Sequence, residues 1–379
     1  MNGTTVLHLR NPTGWYGVEE IIATLAEGLK PKGCRTLIVS LENTHHPKSL
    51  FLQTLERGGI PATRLPGRGM VLLFRLMGYV RKQQVEILHT HTYKSDLWGW
   101  LVAKATGKKV MTTVHGWTDS NRKLRLMGKG NRLLLKHFDK VVFTSNHLAS
   151  ELNHLAPSQI EIIPNGIDLK KRFSRESEGS ATVIPFAVST PGGRLAVIGR
   201  LGPEKGHSFL FEAMAQLTKQ NPELKLWVVG DGPLQVSLVK LADTLRIADR
   251  ILFTDYQREI GKVLSLVDLV VSPSLREGCP LALIEAMAYG KPIVASDVPG
   301  IRETLGGYPK AYLFPPKDTY AMASAIRLGL SAQREQQGRE RSGPVSLPER
   351  FSSERMVEEY ARVYRTLRMG RIKGEDGYG

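Results

Sequence analysis

Ser272-Pro-Ser-Leu-Arg-Glu-Gly-Cys-Pro-Leu-Ala-Leu-Ile-Glu-Ala-Met287 links two short apolar runs, 269–272 and 292–296, through a loop and a helix-period stretch over 281–289. Strand, loop, helix and strand, with strands apolar on both faces, is the repeat of a parallel sheet covered by helices. The rhythm continues upstream, where strands at 251–254, 225–230 and 194–199 alternate with helices at 259–266, 234–245 and 207–219. It also fills the first half, with strands at 5–9, 36–40, 87–91, 110–115 and 141–145. In the first helix there, 17–29, Val18, Ile21, Ile22, Leu25 and Leu29 share one face. Between the halves the texture changes: 170–180 is polar and Thr190-Pro-Gly-Gly193 is turn chemistry. The expectation is an α/β chain of two Rossmann-like, doubly wound domains facing each other across a cleft, residues 1–172 and 194–348 joined by a linker at 173–193. The stretch 349–367 reads as a final amphipathic helix and 368–379 as a frayed tail.

The 379 residues are 41% hydrophobic and 23% charged, enough to fill two cores. Two cysteines in unlike contexts, Cys34 and Cys279, build neither a disulfide framework nor a zinc spacing. No secretory signal opens the sequence, and it holds no apolar run long enough to span a bilayer, so the expected location is cytoplasmic. The net charge of +16 is uneven: residues 1–180 hold 26 Lys+Arg against 14 Asp+Glu. Such a field attracts polyanions, whether nucleic acid, acidic headgroups or phosphorylated substrates.

Four motifs in the second half carry chemistry. Val197-Ile-Gly-Arg-Leu-Gly-Pro-Glu-Lys-Gly206 ends a strand in Gly199 and places two cations, Arg200 and Lys205, in the following loop. There they suit a pyrophosphate, or stand as solvated loop charges. Val228-Val-Gly-Asp-Gly-Pro233 is a turn first, and through Gly230 a place for backbone to approach a ligand. Phe253-Thr-Asp-Tyr-Gln257 could present Asp255, Tyr256 and Gln257 to a base, or be an ordinary connection. In the opening stretch, Glu277 sits in the loop, and Pro280 fits the first position of a helix whose free N–H groups make an anion site. Glu285, further along that helix, is acceptor-only and suits paired hydroxyls such as those of a ribose.

Glu277 and Glu285, seven residues apart, resemble the E-x7-E motif of retaining glycosyltransferases of family 4, which have the GT-B fold. The resemblance extends to Gly199-Arg200 with Lys205-Gly206, to Gly230-Asp-Gly-Pro233, to Ile162-Ile-Pro-Asn-Gly-Ile-Asp168 and to His115 in Thr112-Thr-Val-His-Gly116. It implies an enzyme of hexosyltransferase type in which Arg200 and Lys205 neutralise the leaving diphosphate and Glu285 holds the ribose. Glu277 would contact the sugar, with the amides of Gly278, Cys279, Pro280 and Leu281 arranged around sugar and phosphate, and His115 would face the sugar from the first domain. Gly17 belongs to the same donor-binding set. Where the family carries a Gly-Gly pair after the first strand, this chain reads Pro12-Thr-Gly-Trp-Tyr-Gly-Val-Glu19, with Tyr16 in place of the first glycine and Gly14 displaced upstream. The implied donor is a nucleotide-sugar, UDP-sugar favoured. The implied acceptor is a glycan or lipid-linked molecule of bacterial polysaccharide or lipopolysaccharide synthesis, and no metal or other cofactor is expected.

Two alternatives remain beside this: a sugar-nucleotide epimerase of the same architecture, and a basic nucleic-acid-binding protein. Nucleic acid leaves the Glu277 and Glu285 arrangement without a purpose and is not the expected partner. His89, His91 and His115 invite a metal, but nothing supplies further ligands, so they read as strand-end polar residues; His45-His46 reads as a loop pair. The stretches 69–82 and 121–136 mix cations with large apolar residues. They either pack as amphipathic helices or touch an anionic membrane, placing the enzyme at the inner face of the cell membrane.

Overall fold

The computed structural model describes residues 3–12, 14–41, 49–117, 122–169, 171, 192–336 and 347–375. The linker residues 172–191, the His45-His46 pair and Asn121 lie outside them. The chain divides into two compact units, one made of residues 1–166 with 350–379 and the other of residues 167–349.

In the first unit seven strands pair in parallel: β1 (Thr5–Arg10), β2 (Arg35–Ser40), β3 (Ala62–Arg64), β4 (Ile87–Thr90), β5 (Lys109–Val114), β6 (Lys140–Phe143) and β7 (Ile160–Ile162). Their spatial order is β3-β2-β1-β4-β5-β6-β7. The connecting helices are α1 (Gly17–Leu29), α2 (Leu50–Arg57), α3 (Gly69–Lys82), α4 (Tyr93–Thr106), α5 (Arg122–Leu134) and α6 (Asn146–Ser150). Every residue of β1 is buried, as a strand covered on both faces requires. Leu7, Leu9, Val39, Leu88, Val110, Val141 and Phe143 form its core with Leu72, Leu76 and Val80 of α3.

The second unit repeats the scheme with six strands: β8 (Arg194–Ile198), β9 (Lys225–Val229), β10 (Ile251–Phe253), β11 (Leu269–Ser272), β12 (Ile293–Ser296) and β13 (Ala311–Phe314). All pair in parallel, in the order β10-β9-β8-β11-β12-β13. Its helices are α7 (His207–Leu217), α8 (Gln235–Thr244), α9 (Ile260–Leu266), α10 (Leu281–Ala288), α11 (Pro299–Leu305) and α12 (Thr319–Gln336).

In each sheet the chain runs to one side from the first strand and then returns to the other, so the order reverses between β1 and β4 and between β8 and β11. Ligands of open α/β sheets sit outside the carboxyl ends of strands at such reversals. The last helix, α13 (Ser353–Glu375), belongs to the first unit. Its Met356, Tyr360 and Tyr364 are fully buried there, and it approaches α1 so closely that a Cβ on Gly28 would stand 2.6 Å from Val357.

Several expectations need correction. The edge strands β3, β7 and β13 were not anticipated. The first unit ends at Gly166, not 172. The tail expected from 368 continues helical to Glu375. Pro280 is the N-cap of α10, with extended ψ of 115°, and Leu281 is the first helical residue. Among the described residues, no helix is long and apolar enough to cross a membrane.

Candidate active site

The loops that follow β8 and β11 are drawn together by backbone. Leu275 N donates to Glu204 O at 2.8 Å, and Gly206, at φ +66°, lies so near that a Cβ there would stand 2.1 Å from Pro273 O. Glycine is required at that position both for its left-handed backbone and for the close approach. The contact brings Lys205 and Glu277, 72 residues apart in sequence, within 2.6 Å through Nζ and Oε1. Ser274 Oγ donates to the same Oε1 at 2.7 Å, and Ser296 Oγ donates in turn to the Ser274 carbonyl. Glu277 is thus held in one rotamer by a cation and a hydroxyl, with 11% of its side chain exposed. Lys205 has three donors and uses one here, so it can also hold an anion's oxygen. Arg200 pairs with Glu204 at 3.3 Å, so both cations expected to meet a diphosphate already face a carboxylate.

The other motif residues take these places. Gly199 (φ +148°) ends at β8 with the Lys205 ammonium over it, 3.8 Å from where a Cβ would lie. Gly230 (φ +134°) leaves room for the Gly199 carbonyl, 2.1 Å from its would-be Cβ, and Gly232 does the same for the Leu201 backbone. The Gly-Asp-Gly-Pro turn is therefore built for contact between the β8 and β9 loops. Asp255 is exposed at φ +52°; its carbonyl accepts from Gly230 N and its carboxylate from Gln235. Tyr256 is half-buried, as is Gln257, whose amide donates to Thr254 O. Gly278 and Cys279 are buried, and a Cβ on Gly300 of α11 would stand 2.1 Å from Glu277 O, so the 277–278 backbone is clamped. Leu281 is half-buried in the first turn of α10, where the N–H groups of Leu283 and Ile284 donate to Pro280 O. Glu285, one turn later, is 7% exposed.

The first sheet presents a different chemistry at its own reversal. His8 of β1, His89 of β4, His91 just beyond β4 and His115 just beyond β5 form one cluster, with His91 Nε2 3.0 Å from His8 Nδ1 and His91 Nδ1 3.4 Å from His115 Nε2. His89 bonds Tyr364 of α13 and Thr113. Burial holds all four imidazoles far below their usual pKa, with neighbouring histidines adding to it at His89 and His91 and Arg10 adding to it at His91 and His115, so they are neutral at pH 7. Donor atoms of His8, His89 and His91 lie within 4.8 Å of one another, a spacing that suits a metal. Their ring nitrogens have hydrogen-bond partners, and among the described residues the group with donor atoms this close holds histidines alone; the bonds join them in one chain.

Arg10, at the end of β1, is nearly buried and pairs with Glu19 of α1 at 2.6 Å. Glu19 also accepts from the Tyr16 amide at 3.1 Å, which fixes the loop between them. Tyr16 has extended backbone (φ −135°) open to any residue, and its ring folds over Gly14, 2.7 Å from where a Cβ would be. The bulk where a glycine was expected is accommodated by the glycine displaced two residues upstream. Gly17 is exposed as the first residue of α1. Ser274, His8, Thr113, Tyr360 and Tyr364 were not singled out from sequence; only the i, i+4 spacing of the two tyrosines offered a signal.

With that geometry in place, the likenesses to known proteins have a meaning. The family model "Glycosyltransferase Family 4" matches residues 15–171, and "Glycosyl transferases group 1" matches residues 189–343. The chain belongs to this family of glycosyltransferases, with the GT-B fold of two Rossmann-like units. Among curated relatives, the UDP-Gal:alpha-D-GlcNAc-diphosphoundecaprenol alpha-1,3-galactosyltransferase of Escherichia coli is 28% identical over 249 residues, 62% of each chain. The N-acetyl-alpha-D-glucosaminyl L-malate synthase of Bacillus anthracis is 28% identical over 311 residues, 79% of each. The chain thus spans about three fifths of the first relative's length. A crystal structure of Anabaena Alr3699/HepE with UDP-glucose shares the fold at TM-score 0.73 and 17% identity, covering 96% of this chain and 99% of that one. None of these likenesses favours an epimerase or a nucleic-acid-binding protein.

Proposed function

We propose that the chain transfers a hexose from a nucleotide-sugar, UDP-sugar favoured, to a glycan or lipid-linked acceptor with retention of anomeric configuration. The observation that carries this reading is the Lys205–Glu277–Ser274 cluster at the reversal between β8 and β11. As the bond from sugar C1 to the diphosphate breaks, charge grows on the leaving oxygen. Lys205 and Arg200 stabilise it more in the transition state than before it, and no metal is needed for that task. Glu277, acceptor-only and fixed, takes sugar hydroxyls; Glu285 takes the ribose pair; the N–H groups of Gly278, Cys279 and Leu281, with Pro280 turning the backbone between them, surround sugar and phosphate. Gly199 and Gly230 shape the donor loops, Asp255, Tyr256 and Gln257 are assigned to the base, and Gly17 and His115 of the first unit are assigned to the donor by resemblance to the family. The name of the Escherichia coli relative, which acts on a diphosphoundecaprenol, supports a role in bacterial polysaccharide or lipopolysaccharide synthesis.

The acceptor side of the reading includes contact with the inner face of an anionic membrane. Met70, Val71 and Phe74 of α3, Leu97 of α4, and Leu126 and Leu133 of α5 are all exposed. Neither α3 nor α5 contains an acidic residue, while Arg75, Arg81, Lys82, Arg125 and Lys129 do carry charge there. Apolar side chains among cations suit an anionic bilayer surface.

Thermal stability measured against UDP, GDP, ADP, CMP and their sugar conjugates tests the donor site. A ligand at a hundredfold excess over its Kd adds about 2.7 kcal/mol. The expected result is a shift with uridine nucleotides that Lys205→Ala and Glu285→Ala both lose; no shift with any nucleotide overturns the reading.

A further inference from the structure

We infer that two buried hydroxyls, those of Thr113 and Tyr360, act as positioning groups that set which ring nitrogen of His115 carries its proton. A single hydrogen-bonded chain connects them. It runs from His115 Nε2 to His91 Nδ1 (3.4 Å), from His91 Nε2 to His8 Nδ1 (3.0 Å), and from His8 Nε2 to Tyr364 Oη (3.5 Å). It continues from Tyr364 Oη to His89 Nδ1 (2.7 Å), from His89 Nε2 to Thr113 Oγ1 (2.8 Å), and ends between Thr113 Oγ1 and Tyr360 Oη (2.8 Å).

Each neutral imidazole and each hydroxyl brings one proton to the chain. Seven groups joined by six bonds therefore leave one proton outside, and it must sit at one end. If both ends donated inward, two protons would crowd a single link. Two arrangements survive. In one, Tyr360 donates to Thr113, Thr113 to His89, His89 to Tyr364, Tyr364 to His8, His8 to His91, and His91 to His115 Nε2. The outside proton is then on His115 Nδ1. In the other, every bond is reversed and the outside proton is on the Tyr360 hydroxyl.

The two ends are unlike. Tyr360 is 1% exposed, and Thr113 is its hydroxyl's partner among the described residues, so the reversed chain buries an O–H without an acceptor. His115, just beyond β5, is half-buried as a residue, so its end of the chain is less sealed than the Tyr360 hydroxyl. Orphaning a buried hydroxyl disfavours the reversed chain by roughly ten- to a hundredfold. Burial of the four imidazoles keeps each of them at one proton near neutral pH, as the count requires. His115 therefore offers an N–H donor to whatever stands beyond β5, so it selects an acceptor oxygen.

The consequence for sugar transfer rests on the proposed function; the tautomer itself does not. The test is 15N NMR of the full chain with labelled histidine at pH 8, His115 being assigned by its loss in His115→Gln. The expected spectrum shows His115 protonated at Nδ1. Thr113→Val cuts the chain from its terminal donor, and the two ring 15N shifts of His115 should move toward the average of a mixture. Thr113→Ser, which keeps the hydroxyl, should restore the wild-type pattern and with it any several-fold loss of kcat. A His115 protonated at Nε2 in the wild type, or one indifferent to Thr113→Val, overturns the inference. Lack of activity on any nucleotide-sugar with the Nδ1 tautomer intact would instead overturn the functional reading alone.

Discussion

The two sheets have the same strand order around their reversals and treat the space there in opposite ways. At the β8/β11 reversal, glycines remove bulk so that backbones touch, and the side chains that enter are charged and part-exposed: Lys205, Glu277, Arg200. At the β1/β4 reversal, four neutral imidazoles and two tyrosines from a distant helix fill the space, and an ion pair, Arg10 with Glu19, holds a loop. One topology thus supplies a polar cradle in one unit and a proton-ordered, closed network in the other. The outer surfaces differ in charge too, since on α3 and α5 of the first unit exposed apolar residues stand among cations with no acidic residue in either helix.

The largest expected effect that sharpens this contrast is on stability against pH. His8, His89, His91 and His115 have folded pKa values depressed below 6.5, to about 3 for His8 and His115. The unfolded chain takes up their protons first, so their contribution is complete above about pH 6.5 and is lost as pH falls toward the folded values. Each can cost up to about 1.4 kcal/mol per pH unit. Asp96, raised by burial to about 6 and accepting from Thr90, Thr112 and Asn131, works the other way, gaining stability as pH falls through 6. One carboxyl does not offset four imidazoles. Hydrogen exchange resolved by segment from pH 8 to 5 should show the first unit weakening more steeply than the second, where the buried imidazole with lowered pKa is His207. Parallel decline of both units would break the comparison.

Next in size is Gly206→Ala, which sets a Cβ 2.1 Å from Pro273 O at φ +66° and should destabilise the second unit by about 1–3 kcal/mol in urea unfolding. Gly14→Ala in the matching loop of the first unit meets first the Tyr16 ring, a side chain that can turn aside, and should cost less. Equal losses would mean that backbone contact is not what distinguishes the two loops. The smallest effect is at the surface. Flotation with anionic liposomes should be lost at high salt, and each cation removed from α3 or α5 should weaken it by roughly fivefold. Binding that ignores salt, or an absence of binding at low salt, removes the membrane contact.

Much of this arrangement was legible because buried parallel strands announce themselves as short apolar runs. The central strands of both sheets, the first helix and the helices from 207 to 289 were placed within a residue or two, whereas the helices between the later strands of the first sheet were expected without bounds. β3 and β7 were not, since three residues half-exposed at every position carry no period to read. Lys205 and Glu277 were both recognisable, but not as a pair, because only the adjacency of β8 and β11 brings them together. The same holds for Gly230, whose purpose is the carbonyl of Gly199 on the neighbouring strand. His89, His91 and His115 could be seen, whereas their partners came from β1 and from a helix more than 240 residues further along.

That helix also orders events during synthesis. Tyr360 and Tyr364 complete the interior of the first unit, whose other strands all precede residue 167. On the ribosome those strands wait while the 183 residues from 167 to 349 are made, roughly 10–40 s at usual elongation rates. The second unit is contiguous and can close during that interval. The first remains open along its β1/β4 reversal until α13 emerges, so the half of the protein that is translated first is the last to be finished.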